Sequence, residues 1–293
     1  MRTRLLFDSV YAALFVTLVG VPLATLAFIH ENAVAPLLRR VPAWMEWGLA
    51  PVYALVFLAG MVLTAGVVRR LLPRLVPGRY AFPGHPQSVA WALAFALQRV
   101  LELPPWRAML FGFATLRYFT IRALLGRTAF AINTAADVAI LDASLHTIEE
   151  EALLGAGVVL SGHMAEKGTL LLGGVHIRRG AEIFTGTSIG PNVTVGVDSS
   201  IGPRSMIWSD VQIGDDVYVG ARASLSSGVR IGDNVVLGND VTLEANVEVG
   251  EGAVIRSGVR VPKGTKIPEG ASYLPRASSL REDRMTTDGA KGK

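Results

Sequence analysis

The side chains best suited to proton transfer in this chain are five histidines, at positions 30, 85, 146, 163 and 176. His30 ends an apolar run and His85 lies in a proline-rich linker, so we expect neither to do chemistry. His163 stands in the polar, glycine-bounded segment GHMAEKG, where an accessible imidazole is well matched to general-base chemistry near neutral pH. We therefore predict His163 as a general base, and a solvated loop histidine is the alternative.

Other titratable side chains near His163 in the sequence are candidates to assist it. Glu166 follows in the same polar segment and is a candidate to orient the imidazole. His146 and His176 each precede an inward-facing position of the repeat described below, so either is a candidate to line the same cleft. An acidic run is a further candidate, although such runs are more often solvated faces: Glu149, Glu150 and Glu151.

A metal centre is the main competing interpretation of these histidines. A catalytic zinc site needs three well-placed ligands and an open position. His146, His163 and His176 are spaced 17 and 13 positions apart, which leaves no short histidine pair. The absence of cysteine excludes disulfides, Cys-based zinc sites and a thiol nucleophile. We therefore expect no metal.

The composition indicates a membrane protein. The 293 residues are 51% hydrophobic and only 18% charged, and the mean hydropathy is +0.41, which is unusually apolar for a soluble domain. The formal net charge is +4, but the arginines cluster beside apolar runs, as they do near membrane spans. We therefore expect lipid as a partner and no nucleic acid.

Two uncharged runs are long enough to cross a bilayer as helices. The first is Ser9 to Ile29, with Pro22 inside it, and the second is Trp47 to Val68. They predict a transmembrane helical hairpin within residues 1–80. A cleaved signal peptide is the alternative for the first run, but the sequence lacks a clear small-x-small cleavage site.

The arginines predict the orientation of this hairpin. Two precede the first run, Arg2 and Arg4, and four follow the second, Arg69, Arg70, Arg74 and Arg79. Only two lie between the runs, Arg39 and Arg40. Because positive residues concentrate on the cytoplasmic side, both ends of the hairpin are predicted to be cytoplasmic. The C-terminal half then lies on the cytoplasmic side of the cell (inner) membrane.

Residues 81–130 contain two apolar segments that charges interrupt. Arg117 and Arg122 are five positions apart, roughly on one helix face, among aromatic residues. The pattern predicts amphipathic helices lying on the membrane surface. Ordinary helices packed against the C-terminal domain are the alternative.

The C-terminal half repeats with a period of six residues. From Ile177 onward an aliphatic residue occupies every sixth position, fourteen times without a break, and the residue two before it is small or β-branched. Glycine follows the aliphatic residue in eight of the fourteen repeats, and we interpret it as a corner residue. Three hexads predict one triangular coil of 18 residues, so five residues stack into one ladder: Ile177, Val195, Ile213, Ile231 and Val249.

This period predicts an all-β parallel β-helix, a hexapeptide-repeat solenoid, over residues 131–268, and the resemblance described next implies that it is left-handed. Going backwards, the register continues at Leu171, Val159, Leu153 and Leu141, with interruptions at Ala165 and Thr147, so the first coils are predicted to be irregular. A strict register would place His163 at an inward position that suits a small residue, so we expect its segment to leave the coil as a loop. The polar residues 269–293 are predicted to be disordered.

With this repeat over about residues 140–268, the chain resembles the left-handed β-helix acyltransferases of the hexapeptide-repeat superfamily. A narrower stretch, Thr147 to Ile183, resembles the membrane-attached C-terminal region of polylysine-synthetase-type nonribosomal peptide synthetases. The likeness lies in a Ser161-Gly162-His163 turn, followed by Gly168 and Leu170 and then by the hexad ladder. The terminal GASYLPRA departs from the Gly-Asn-Pro-Ala-like segment found in many superfamily acetyltransferases.

The resemblance implies acyl transfer or amide formation, with a histidine base in a cleft between β-helices of a homotrimer. It implies acetyl-CoA or another acyl thioester as donor, or a thioester on a separate acyl or peptidyl carrier protein. Four cations of the late coils are candidates to bind the donor's phosphates: Arg256, Arg260, Lys263 and Lys266. Two other functions stay open, a non-catalytic trimeric membrane scaffold and a zinc hydro-lyase.

Overall fold

The computed structural model describes residues 2–39, 42, 46–104 and 106–274, with side chains from residue 8 onward. Helix α1, Arg2–Ile29, continues through a π-helical turn, His30–Val34, into α2, Ala35–Leu38. Helix α3, Ala50–Leu71, follows. The loop residue Arg40 lies outside the described residues.

Two helical stretches are long and apolar enough to span a membrane, Asp8–Leu38 and Ala50–Leu71. They contain most of both predicted runs. Leu18 of the first stretch and Met61 of the second are fully buried. Many large apolar side chains on the other faces are exposed, including Val16 and Phe28 at 67% and Leu63 at 72%.

Three shorter helices cover the first end of the C-terminal domain: α4, Pro86–Leu101, α5, Trp106–Gly112, and α6, Ala114–Ala123. Leu97 and Leu101 of α4 are fully buried and belong to the same apolar core as Ile140 and Ile148 of the first coils. Gln98 donates to the Ile140 carbonyl and accepts from the Ala143 amide. These helices therefore pack against the C-terminal domain, which is the alternative that the sequence left open.

Arg117 and Arg122 lie on different faces of α6, so the sequence-based placement on one face was wrong. Arg117 is buried and donates to the carbonyls of Phe111 and Thr134, each at 3.4 Å. Arg122 is exposed. The reason is the helical period, because five residues correspond to about 500°, which leaves the two side chains about 140° apart.

The C-terminal domain is a parallel β-solenoid of about eight turns with three sheets. The first sheet contains Arg127–Thr128, Thr147–Ile148, Val175–Ile177, Val193–Val195, Gln212–Ile213, Arg230–Ile231, Glu248–Val249 and Lys266–Ile267. The second contains Asn133–Thr134, Leu153–Leu154, Glu182–Ile183, Ser200–Ile201, Tyr218–Val219, Val236–Leu237, Val254–Ile255 and Ser272–Tyr273. The third contains Ala139–Leu141, Val159–Ser161, Ser188–Ile189, Met206–Ile207, Ser224–Leu225, Thr242–Leu243 and Arg260–Val261.

The period-six prediction is confirmed in the regular coils. All fourteen predicted inward residues from Ile177 to Ile255 are less than 5% exposed. The predicted ladder is present, because Ile177 pairs with Val195, Val195 with Ile213, and so on at intervals of 18. Each added coil buries the aliphatic side chains of the one before it, which accounts for the fold.

From Ile183 to Ile255, the residue with left-handed backbone angles lies three positions before each aliphatic residue, and not directly after it as the sequence suggested. Asn192 and Asp210 are examples, with φ of 59° and 62°. The glycines after the aliphatic residues meet a different constraint, which is the close approach of the next coil. A Cβ at Gly196 would lie 2.0 Å from the Gly214 carbonyl oxygen.

An inserted hairpin shifts the register of the early coils. Ile148 pairs with Ile177 and Leu160 with Ile189, each 29 residues apart, which is eleven more than a regular coil. Eleven is one residue fewer than two hexads. The six-residue count, continued backwards from Ile177, therefore predicted inward positions that are one residue away from the observed ones. Leu154 and Leu160 point inward and are buried, whereas the predicted inward residues Leu141, Leu153 and Val159 are only partly buried.

The solenoid is longer than the sequence suggested. Its first strand begins at Arg127, whereas the expected start was residue 131, and its last strand ends at Tyr273, whereas the expected end was residue 268. Residues 269–274, which were assigned to a disordered tail, close the second sheet because Ser272 pairs with Val254. The rest of that predicted tail, residues 275–293, lies outside the described residues.

Candidate active site

His163 stands at the start of the inserted hairpin. Its strand, His163–Glu166, pairs antiparallel with Thr169–Leu172, which pairs on its other edge with the outlying strand Gly78–Ala81. The segment thus leaves the coil, as the sequence predicted, but as a hairpin and not as an irregular loop. The hairpin places the imidazole between the first coils and helix α4.

The Nδ1 atom of His163 lies 2.5 Å from Oδ2 of Asp142. The Asp142 side chain is fully buried, and its other oxygen accepts the indole N–H of Trp91 at 2.9 Å. Both carboxylate oxygens therefore have a donor, which compensates for burying the charge. The imidazole itself is 19% exposed.

The backbone at Asp142 and at Gly162 allows Asp142 and His163 to pair. Asp142 lies in the turn after Ala139–Leu141, and Gly162 directly precedes the hairpin. Asp142 has left-handed backbone angles, with φ of 62°, which aspartate tolerates better than most residues. Gly162 packs directly against it, because a Cβ there would lie 2.9 Å from Asp142 Cβ and 3.1 Å from Leu145 Cδ1. Only glycine lets the chain before His163 pass this close to the carboxylate.

Aromatic rings of α4 cover one side of the imidazole. The ring centroids of Trp91 and Phe95 lie 4.7 Å and 5.6 Å from that of His163. The two residues are four positions apart, so they lie on one face of the helix. Trp91 therefore contacts His163 with its ring and holds the partner carboxylate with its N–H group.

This arrangement leaves one nitrogen of His163 available for chemistry. The carboxylate favours the tautomer with the proton on Nδ1. Nε2 has no hydrogen-bond partner within the described part of the chain. A histidine whose Nδ1–H is held by a buried carboxylate and whose Nε2 is free has the arrangement of a general base in acyl-transfer enzymes.

His146 is placed differently from a catalytic group. It is only 2% exposed, its Nδ1 accepts the Val175 amide at 2.9 Å, and its Nε2 lies 2.5 Å from the Leu141 carbonyl oxygen. Burial lowers the pKa of His146 below its ordinary value, although the two backbone hydrogen bonds and Asp142 oppose that effect. Both ring nitrogens are thus engaged by backbone groups, and the imidazole joins Leu141 of the first coil to Val175 at the start of the third.

His176 and Glu166 do not meet His163. His176 pairs with Glu149, with Nε2 at 2.6 Å from Oε1. Burial raises the pKa of Glu149, but hydrogen bonds from His176 and from the Arg179 amide outweigh it and leave the pKa lowered. Glu166 is exposed at the hairpin tip and pairs with Lys167 at 3.3 Å, and strand alternation places it on the face opposite His163.

The four late cations lie at the other end of the solenoid. Arg260 pairs with Glu244 and Lys266 with Glu248, each at 2.7 Å. The backbone amide of Lys263 donates to the Glu244 carboxylate. Arg256 directly follows Val254–Ile255, a strand of the second sheet. Five strand spacings separate Val159–Ser161 from Arg260–Val261, or about 24 Å. One chain therefore does not bring these cations to His163.

The metal interpretation finds no support in this geometry. Within the described residues there is no group of three His, Asp or Glu side chains that could hold a metal ion. His146, His163 and His176 use their nitrogens on a carbonyl and an amide, on Asp142 and on Glu149 respectively.

Sequence reasoning missed Asp142 and Trp91. A sequence signal for Asp142 existed, because Leu141 pairs with Ser161 in the first, 20-residue coil, which places Asp142 beside Gly162. That signal depends on knowing the length of the coil. Trp91 gave no signal, because the contact depends on how α4 packs on the solenoid.

Comparisons with known proteins agree with the repeat. A family profile described as bacterial transferase hexapeptide (six repeats) matches residues 228–263, and one described as hexapeptide repeat of succinyl-transferase matches residues 210–245. Together the two profiles cover residues 210–263, which lie in the regular coils of the solenoid. No curated protein matches the chain by sequence.

Solved structures of several bacterial proteins are similar to this chain. One is a mutant GDP-perosamine N-acetyl transferase from Caulobacter crescentus in complex with CoA and GDP-perosamine, with 14% identity over 57% of this chain and 69% of that one, at a TM-score of 0.31. The acetyltransferase domain of PglB from Neisseria gonorrhoeae has 18% identity over 53% and 62%, at 0.29. UDP-N-acetylglucosamine acyltransferase from Campylobacter jejuni has 20% identity over 48% and 64%, at 0.24. The narrower likeness to polylysine-synthetase-type proteins is not among these findings and stays a prediction.

Proposed function

We propose that this chain is a membrane-anchored acyltransferase that moves an acyl or aminoacyl group from a thioester to an amine or a hydroxyl group. The observation that carries the proposal is the pair of His163 and buried Asp142, with Nε2 of the imidazole free. The match of the repeat to profiles of transferases supports the same class of reaction.

In this reaction His163 is the general base. Nε2 takes the proton of the attacking amine or hydroxyl as its lone pair adds to the thioester carbonyl, and the imidazolium then returns that proton to the departing thiolate. Asp142 keeps the proton of the neutral ring on Nδ1 and stabilises the imidazolium. Trp91 positions the carboxylate, and His146, His176 and Glu166 have no direct part in the proton transfer.

The donor is an acyl thioester, of coenzyme A or of a separate carrier protein. Arg256, Arg260, Lys263 and Lys266 stay candidates for its phosphates, but the separation of about 24 Å requires a donor that extends along the solenoid. We propose a homotrimer, in which a neighbouring solenoid would form the other wall of the cleft at His163.

The membrane-anchoring part of the proposal rests on the two long apolar helices. Their exposed faces carry side chains such as Val16, Phe28 and Leu63, whose contact with water would be unfavourable. Arg69, at the end of α3, is buried and donates to Ser144 of the first coil, so the solenoid lies on the arginine-rich side of α3. By the positive-inside rule, we place the solenoid in the cytoplasm.

Purified full-length protein, incubated with acetyl-CoA or acyl-loaded carrier protein and a panel of amines and alcohols, tests this function. We expect thioester consumption by the wild type and a large loss in His163→Gln. Turnover that persists in His163→Gln would refute the assigned base. If neither protein turns over with any donor, while cross-linking shows an intact trimer, the non-catalytic scaffold becomes the better assignment.

A further inference from the structure

The helical region carries a groove that shares no residue with the His163 site. It lies between α3 and α6 and has a volume of about 390 Å³. We call it the apolar groove, and its lining is apolar except for Arg70 and Arg122: Ala59, Val62, Leu63, Gly66, Leu116, Phe119 and Ala123. It follows α3 from Ala59 to Arg70, a rise of eleven residue steps or about 16 Å.

A second concavity adjoins the apolar groove where α6 meets the first coil. It has a volume of about 490 Å³, and we call it the arginine pocket, because three arginines line it: Arg122, Arg127 and Arg179. Arg122 lines both concavities, so they adjoin at its side chain. The pocket is otherwise lined by Thr128, Ala129, Thr147, Ile148, Glu149 and Glu150.

The three arginines of this pocket are unpaired. Within the described residues, no hydrogen bond or ion pair engages the guanidinium group of Arg122, Arg127 or Arg179, and all three side chains are exposed. Elsewhere on the described solenoid some exposed arginines pair, such as Arg222 with Asp240, and single ones such as Arg204 do not, so the distinguishing feature of the arginine pocket is that three unpaired arginines share one concave surface. Three free guanidinium groups on one concave surface form a favourable site for an oxyanion.

Two carboxylates also line the arginine pocket and oppose an anion there. Glu149 is already engaged by His176 and by the Arg179 amide, which leaves Glu150 as the unpaired acid. Arg70, at the end of the apolar groove, adds a fourth cation, and one of its nitrogens donates to the Gly66 carbonyl. Four arginines against two carboxylates leave the combined site positive.

We propose that the apolar groove and the arginine pocket together bind an anionic phospholipid, a membrane lipid whose phosphate headgroup carries a net negative charge. The hydrocarbon chain lies along α3 and α6, and the phosphate lies among Arg122, Arg127 and Arg179. The inference rests on the membrane-anchoring part of the proposed function, because the groove opens on helix faces that a bilayer would cover. It does not depend on the acyl-transfer reaction.

The charge arrangement favours this occupant over an apolar segment of protein or a free anion. An apolar peptide would leave the arginines at the end of the groove without partners. A free phosphate would use the arginine pocket but would not explain the adjoining apolar groove of about 390 Å³. An amphiphile with one anionic group at the end of a hydrocarbon chain satisfies both parts at once.

Native mass spectrometry of the detergent-purified full-length chain tests the proposal. The protein is mixed with phosphatidic acid or with phosphatidylcholine, whose headgroup carries no net charge. We expect phosphatidic acid to be retained at least about tenfold better, and Arg122→Gln combined with Arg127→Gln to remove that preference. Arg230→Gln, which changes an exposed arginine elsewhere on the solenoid, is the matched control and should keep it.

A second pair of variants tests the groove. Ala59→Phe places a ring inside the apolar groove and should lower lipid retention, whereas Val67→Phe, on an exposed position of the same helix outside it, should not. Equal retention of both lipids, or full displacement by millimolar inorganic phosphate, would overturn the proposal. Vesicle flotation of the same samples reports membrane anchoring separately, so failure of the lipid site and failure of the anchor are distinguishable.

Discussion

Asp142 receives the indole N–H of Trp91 on one oxygen and faces Nδ1 of His163 with the other, at 2.9 Å and 2.5 Å. The carboxylate is fully buried, so it is a fixed charge and not a mobile surface group. Helix α4 supplies Trp91, the turn after the strand Ala139–Leu141 supplies Asp142, and the hairpin supplies His163. The site therefore exists only where the helical region and the solenoid meet.

Replacing His163 by glutamine should strongly slow acyl transfer and leave the fold intact. Glutamine is close in size, so it keeps most of the packing against Trp91, but it cannot accept the proton. General-base catalysis typically contributes a factor of about 100 to 10,000, and the turnover number should fall by that amount. Steady-state kinetics measure the loss, and an unchanged melting temperature rules out unfolding as its cause.

Asp142→Asn and Trp91→Phe should distinguish the effect of the Asp142 charge from the effect of positioning that carboxylate through the Trp91 N–H group. Asp142→Asn removes the charge that stabilises the imidazolium and the tautomer with Nδ1–H, so we expect kcat to fall by about 100-fold or more with little change in KM. Trp91→Phe keeps an aromatic ring beside His163 but removes the donor to Oδ1, and we expect about a tenfold loss. Equal and complete loss in both would argue against this ranking.

Gly162→Ala should destabilise the site, and Gly112→Ala should not. The new Cβ at position 162 would lie 2.9 Å from Asp142 Cβ, so the hairpin or the carboxylate must move. We expect a loss of about 1–3 kcal/mol in the free energy of unfolding, together with reduced activity. Gly112 belongs to helix α5 and has no atom within 4 Å of an added Cβ, so it is the matched control in thermal or denaturant unfolding.

His146 should make the stability of the protein depend on pH. Its pKa is lowered in the folded state because of burial, so the unfolded state binds a proton more readily. This contribution to stability is complete above the unfolded pKa of about 6.5 and is lost as the pH falls through the folded pKa. The melting temperature should therefore decrease from pH 8 to pH 5.

The matched variant for the pH experiment is His146→Gln. It should melt at a lower temperature than the wild type at pH 8, because a buried bridge between Leu141 and Val175 is weakened. Its melting temperature should also fall less between pH 8 and pH 5. A pH dependence equal to that of the wild type would assign the effect to other groups.

The repeat shows how much of the fold was predictable from sequence. Every inward residue from Ile177 to Ile255 followed from a six-residue count, because each coil buries the same positions as its neighbour. The count failed where the eleven-residue insertion separated Ile148 from Ile177. A local period carries no information on the length of an insertion, so the buried residues of the early coils came out one position off.

The candidate site, like the fold, was only partly predictable from the sequence. Sequence by itself determined the solenoid, the two apolar helices and the choice of His163, because hydrophobic period, run length and a polar segment at an inward position are local properties. Only the tertiary structure decided that Asp142 and Trp91 accompany His163, and that Arg122, Arg127 and Arg179 share one pocket. The physical reason is that these contacts depend on how α4 and α6 pack on the first coils, and such packing leaves no periodic trace in the sequence.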